Sequence, residues 1–232
     1  MTVQMWTELK ASLEDLSQAS DLRCVVIRGE GTSAFSSGAD ISEFETYRST
    51  YEQVVKFHEV YVNGCLSAIA ECPVPVVAAI QGVCFGGGLE IAAVCDIRIA
   101  DAGARFGAPV GRLGFPLAFA ETQALFRLVG PATTAELLME GRTYDAALAH
   151  KKGLITRTVL SETFEAAVTE TIANISQCGA SATRAHKRQI RRLMLDGSPI
   201  SLDERMRDYA FAGTDEYRQG TLRFLGRTDQ RR

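Results

Sequence analysis

The chain has 232 residues, enough for one sizeable domain with a helical appendage. Hydrophobic residues make up 46% and charged residues 23%, and the net charge of −3 gives no reason to expect nucleic acid or an anionic membrane as partner. No apolar run reaches the roughly 18 residues of a membrane span, and the N-terminus lacks a signal-peptide pattern, so a cytoplasmic location is expected.

In chain order, Thr2 to Leu16 predicts an amphipathic helix, with Val3, Trp6, Leu9, Leu13 and Leu16 at helical spacing. Arg23 to Arg28 predicts a short buried strand. Ser49-Thr50-Tyr51-Glu52 has the form of a capping box and opens a long helix to about Ala70. Pro73 and Pro75 introduce the apolar run Val74 to Ile80, which reads as a buried strand. Asp96 to Ala100 alternates as a strand does, and Thr122 to Val129, Pro131 to Glu140 and Asp145 to Lys152 read as successive helices. Leu154 to Val159 is a further strand and Thr163 to Gln177 a further helix. After Gly179 the pattern is helical throughout, over Ser181 to Leu195, Leu202 to Phe211 and Asp215 to Leu225. Helix alternating with short apolar strand argues for an α/β core. No internal sequence repeat is evident.

Cys24, Cys65, Cys72, Cys84, Cys95 and Cys178 fall mostly in apolar runs without a Cys-x-x-Cys pair, so they read as reduced core thiols. His58, His150 and His186 stand apart from one another and from the cysteines, and no metal site is expected. The basic run Arg184, Lys187, Arg188, Arg191 and Arg192 reads as a solvated helix face, or else as a contact for phosphates.

The most informative stretch is Gly82-Val83-Cys84-Phe85-Gly86-Gly87-Gly88-Leu89-Glu90, between the apolar run ending at Ile80 and a helix over Leu89 to Val94. Three glycines at a strand-to-helix junction let the backbone approach a ligand and leave N–H groups free at the helix N-terminus. Such donors suit an oxygen that gains negative charge, and Glu90 supplies an acid or base beside it. Packing alone also places glycine at such junctions. The spacing fits neither the dinucleotide fingerprint nor a phosphate loop. A second stretch, Ala34-Phe35-Ser36-Ser37-Gly38-Ala39-Asp40, has the same order of strand, small-residue loop and short helix. Two such loops can aim two N–H groups at one oxygen.

With both stretches present, the chain resembles the enoyl-CoA hydratase/isomerase (crotonase) superfamily. Phe35-Ser36-Ser37-Gly38-Ala39-Asp40 looks like its first signature, and Gly86-Gly87-Gly88-Leu89-Glu90 with Cys95-Asp96 like its second. The similarity runs on through Phe106-Gly107-Ala108-Pro109, Thr122-Gln123, Arg127-Leu128-Val129-Gly130 and Lys152-Gly153-Leu154-Ile155. The resemblance implies a spiral of ββα turns, placed here over residues 1–178, and a C-terminal helical region for oligomer packing over 179–232. It implies a homotrimer or homohexamer that acts on acyl-CoA thioesters, with coenzyme A part of the substrate and no separate cofactor. It also implies a strand pair before the first helix. Met1 falls at about that helix, so the pair is expected to be missing, through a naturally short chain or a start that leaves residues out.

By the same resemblance, the backbone N–H groups of Ala39 and Gly87 hold the thioester oxygen, Glu90 is the catalytic acid/base, and Ser37, Gly38 and Ala39 meet coenzyme A. Hydratases of the family use a second glutamate after the Phe-Gly-x-Pro segment, where this chain has Val110. Valine moves no proton. Glu121, where the family more often has glycine, is the candidate substitute, although an acid early in a helix also has a plain dipole role. Arg112, Tyr61 and His58 are weaker candidates, with His58 expected at the surface or an interface. Phe119 reads as core or as a wall of the acyl pocket. The expectation is an enoyl-CoA hydratase or isomerase. Another one-glutamate branch such as a decarboxylase, or an acyl-CoA-binding protein with little catalysis, stands as the alternative.

Overall fold

A computed structural model of the chain describes residues 1–226. The first helix, α1 (Val3–Leu16), starts on Thr2, whose side chain accepts from Met5 N, and buries Val3, Trp6 and Leu13. Then come β1 (Val25–Arg28), β2 (Ala34–Ser36), a 3-10 turn at Ile41–Glu43 capped by Asp40, and α2 (Phe44–Tyr47). A long helical rod follows, made of α3 (Tyr51–Lys56), a π-helical segment (Phe57–Val62) and α4 (Asn63–Glu71). The next turn is β3 (Val76–Ile80), β4 (Val83–Phe85) and α5 (Gly87–Val94). It is followed by β5 (Ile97–Asp101), β6 (Arg105–Gly107), a 3-10 turn at Pro109–Leu113 and α6 (Phe119–Leu138). After β7 (Tyr144–Asp145), α7 (Ala146–Lys151) and β8 (Arg157–Val159), the chain is helical: α8 (Phe164–Gln177), α9 (Ala180–Leu195), α10 (Leu202–Asp208) and α11 (Asp215–Phe224).

The strands form two four-stranded sheets, ordered β1-β3-β5-β8 and β2-β4-β6-β7. Each turn of chain therefore adds one strand to each sheet and steps one place along both, which makes a spiral of ββα turns, the α/β architecture that the resemblance implies. Pairing is parallel except where β7 meets β6. The repetition lies in the backbone, not in the residues.

β3 shows why its sequence is apolar without alternation. Its residues are all buried, because Val76, Ala78 and Ile80 enter the main core while Val77 and Ala79 meet Ile99, Phe164 and Val168 beneath α8. β1, expected as a buried strand over Arg23 to Arg28, is shorter and only half-buried, since it borders a single neighbour, β3, in its sheet.

Other expectations shift in detail. The capping box lies one residue later than expected: Thr50 Oγ1 accepts from Gln53 N (3.3 Å) and Gln53 Oε1 accepts from Thr50 N (3.2 Å). The two helices expected on either side of residue 130 run together as α6, kinked at Gly130 (φ 74°, ψ 174°) ahead of Pro131. The basic run is not a plainly solvated face. Lys187 is buried and donates to Val74 O (3.0 Å) and Asp96 Oδ2 (2.7 Å). Arg188 pairs with Asp208, Arg191 with Glu71 and Arg192 with Glu204, while Arg184 reaches Leu22 O. These charges hold the C-terminal helices to one another and to the core. Cys65, Cys72, Cys84 and Cys95 are buried free thiols, whereas Cys178 is exposed. Among the described residues no helix is long and apolar enough to cross a membrane, and no cluster of metal-ligating side chains forms.

Candidate active site

The two glycine loops meet as their sequences suggest. Gly38 has φ 99°, in the left-handed region that favours glycine, and a Cβ added to it would lie 3.2 Å from Phe85 O and 3.6 Å from Gly87 N. A Cβ on Gly87 would lie 3.9 Å from Ala39 N and would strike the Trp6 ring at 2.6 Å. Both loops leave parallel strands, β2 and β4, which are paired to each other, so the sheet fixes their separation. No acceptor takes the N–H of Ala39 or of Gly87 among the described residues. The loops therefore present two free donors side by side at the N-terminus of α5.

These donors open into a cavity of about 290 Å³ whose walls include Ser37, Ala39, Gly87, Glu90, Val110 and Glu121. Glu90 is 4% exposed and Glu121 is 1% exposed. Glu90 enters from the first turn of α5, and Glu121 from the first turn of α6. Glu121 does what a helix N-terminal acid does, since its Oε2 accepts from Ala118 N (3.0 Å). Its other oxygen, Oε1, lies 2.6 Å from Nδ1 of His58. Glu121 thus caps its helix with one oxygen and meets His58 with the other.

His58 is not a surface residue. Its side chain is 12% exposed, and it sits in the π-helical segment, where the extra residue per turn shifts the face that the rod shows to the cavity. Phe57 packs edge-on against His58 and Tyr61. Arg48, between α2 and α3, also lines the cavity, and its guanidinium lies over the rings of Phe44 (4.1 Å), Phe115 (4.2 Å) and Phe57 (5.0 Å). No sequence signal marked Arg48. Its role depends on three rings drawn from separate segments.

Burial pushes the Glu90 carboxyl well above the usual carboxylate range; the Glu121 charge adds to the rise, and the positive charge of Arg48 opposes it. Burial likewise lowers the pKa of Arg48, against the pull of Glu121 and Glu90. The cavity thus holds two carboxyl groups, Glu90 with its pKa raised by burial and Glu121 in contact with His58 and Ala118 N. A buried acid with a raised pKa beside a second carboxyl suits acid and base work.

The remaining candidates divide. Val110 lines the cavity, in the 3-10 turn that follows β6. Arg112 lines it too, but its Nη2 is committed to Gly141 O (3.1 Å). Tyr61 packs on Phe57 and Tyr47 and is not among the residues that line the cavity. Phe119 is neither core nor pocket wall, being 84% exposed; Leu117 and Phe115, from the same segment, line the cavity instead. Trp6, read from the sequence only as a helix core residue, forms the floor under Gly87.

Comparison with known proteins gives the chain a family. The family model described as enoyl-CoA hydratase/isomerase matches residues 1–231. A Mycobacterium tuberculosis protein named "Probable enoyl-CoA hydratase echA8" is 32% identical over 224 residues, 96% of this chain and 84% of that protein. A solved structure of an enoyl-CoA hydratase/carnithine racemase from Magnetospirillum magneticum superposes with a TM-score of 0.95 at 37% identity, over 97% of this chain and 84% of that one. An enoyl-CoA hydratase from Bacillus anthracis gives 0.87 at 28% identity, over 99% and 89% respectively. A match along the whole chain, with relatives above 30% identity, makes this chain a member of the enoyl-CoA hydratase/isomerase family, with the hydratase/isomerase type of function that the family carries.

Proposed function

We propose that this enzyme is a lyase that adds water across the double bond of a 2-enoyl-CoA thioester, with Glu121 in place of the second glutamate that Val110 leaves out. The observation that carries the reading is the meeting of Glu90 and Glu121, both buried, in one cavity. The thioester oxygen accepts from the N–H groups of Ala39 and Gly87, with Ser37 and Gly38 beside the coenzyme A arm. Each donor aimed at the developing oxyanion is worth about 3 kcal/mol in a dry site.

Glu121, held by His58 and Ala118 N, takes a proton from water as the water oxygen bonds to the β-carbon. The π electrons move to the α-carbon and the thioester oxygen, giving an enolate in the N–H pair. Glu90, whose pKa burial raises, gives its proton to the α-carbon and restores the thioester carbonyl. One proton has left water and one has reached carbon. Transfer between the two carboxyls then resets the pair. A second carboxyl in the cavity supports this reading over an isomerase, a decarboxylase or a binding protein, which Val110 alone would favour.

The test is hydration of crotonyl-CoA, followed by loss of the conjugated thioester absorbance. Glu90→Gln and Glu121→Gln should each lower kcat by about 10²- to 10⁴-fold. A Glu121→Gln variant at the parent rate overturns the assignment of the second acid/base.

A further inference from the structure

Arg48 is a cation in the cavity that hydration of a simple enoyl chain does not use. Its guanidinium is half-buried among the rings of Phe44, Phe57 and Phe115, and among the described residues it makes no hydrogen bond or ion pair. Other arginines here are differently placed. Arg112, on the same cavity, is tied to Gly141 O, and the buried Arg98 donates to the carbonyls of Ala92 and Cys95.

Aromatic faces attract the flat cation but take none of its five N–H donors, which lie at its edge. A half-buried guanidinium with an open edge is electrostatically incomplete, as its lowered pKa also reflects. Glu90 and Glu121 do not complete it: among the described residues neither carboxyl makes a hydrogen bond or ion pair with Arg48, and Glu121 is engaged by His58 and Ala118 N. The group whose two oxygens match the guanidinium fork is a carboxylate.

Position says where on the ligand it belongs. Arg48 shares one cavity of about 290 Å³ with Glu90 and the N–H pair, so whatever meets it is a few bonds from the thioester carbonyl. The phosphates of coenzyme A lie a whole pantetheine arm away. We propose that Arg48 binds a carboxylate at the far end of the acyl group, so that the enzyme takes CoA thioesters of dicarboxylic acids in preference to plain acyl chains. This rests on the reading of the cavity as an acyl-CoA site, though not on which residue moves which proton.

The test uses the full chain and ligands without a double bond, so that binding is read apart from hydration. Calorimetry compares succinyl-, glutaryl- and adipyl-CoA with butyryl-CoA, in which coenzyme A is common. At least one dicarboxylic thioester should bind about 10- to 100-fold more tightly than butyryl-CoA, the range of a charged hydrogen-bonded contact. Arg48→Met should bring that ratio to near one, and Arg48→Lys should leave it intermediate. A parental ratio near one overturns the proposal, and this arm needs no variant to fold. Equal weakening of both ligand types in Arg48→Met also overturns it, by placing Arg48 on the coenzyme A part. A dicarboxylate preference in a chain whose Glu121→Gln variant hydrates at the parent rate supports Arg48 while removing the mechanism above, so the two readings fail separately.

Discussion

One side of the cavity is built from Gly38, Ala39 and Gly86 to Glu90, on loops that leave the paired strands β2 and β4. The other is built from Arg48, His58 and Glu121, on a loop, a π-helical segment and the start of α6. In the proposed mechanism the first side works through backbone N–H groups, whose positions follow from strand pairing and from residues small enough to allow close approach. The second works through side chains, and its central contact, His58 to Glu121, joins residues 63 apart in the chain. A backbone site can be anchored locally. A side-chain site needs the whole cavity assembled first.

If that contrast is right, the largest loss outside the acids comes from the glycine side. Gly87→Ala places a methyl group 2.6 Å from the Trp6 ring and displaces the N–H that the proposed mechanism aims at the substrate oxygen. Crotonyl-CoA hydration should fall about 10²- to 10³-fold, as for loss of one oxyanion donor. Combining it with Trp6→Leu, which clears the space, should recover part of kcat. A double variant no better than Gly87→Ala alone would show that the clash is not the cause.

His58→Gln tests the other side, with a smaller effect. His58 acts through Glu121, so it is a positioning residue, and its loss should lower kcat about tenfold with little change in KM. In a Glu121→Gln background the same change should cost nothing further, because contacting residues are not additive. An undiminished loss in that background would give His58 a role of its own.

The same division explains what the sequence makes legible. The order of strand, glycine loop and helix is enough to bring Ala39, Gly87 and Glu90 to one cavity, since glycine marks a backbone requirement that holds in any environment. The burial of β3 is visible as an unbroken apolar run. Glu121 is visible only as an ambiguity, because an acid three residues into a helix caps it whether or not a pocket lies beyond. His58 is misplaced by its pattern: regular α-helical spacing hides a π-helical segment, which shifts register within a few residues. Arg48 carries no local signal, because Phe44, Phe57 and Phe115 surround it only after folding.

Stability against pH separates the sides in another way. The native pKa of Glu90 is raised, so the folded chain holds a proton that the unfolded chain releases above the ordinary carboxylate range. Its contribution is full below that range and is lost as pH rises through the native pKa, at about 1.4 kcal/mol per pH unit of that window. Urea unfolding of the parent and of Glu90→Gln, from about pH 4.5 upward, should therefore show the variant gaining relative stability with pH. Parallel curves would mean that Glu90 is already ionised in the folded cavity.

The smallest expected effect is at the start of the helical rod. Thr50 and Gln53 satisfy each other's backbone N–H groups where α3 begins, five to eight residues before His58 and away from the cavity lining. Thr50→Ala removes one capping acceptor and should cost about 1 kcal/mol in urea unfolding. Because Phe57 is buried and the rod continues unbroken into α4, the His58 face should stay in register, and kcat should change by less than about twofold. A tenfold drop in kcat with the same loss of stability would show that fraying at the cap propagates to the π-helical segment. The side-chain half of the cavity would then be held by the end of its helix and not by packing along its length.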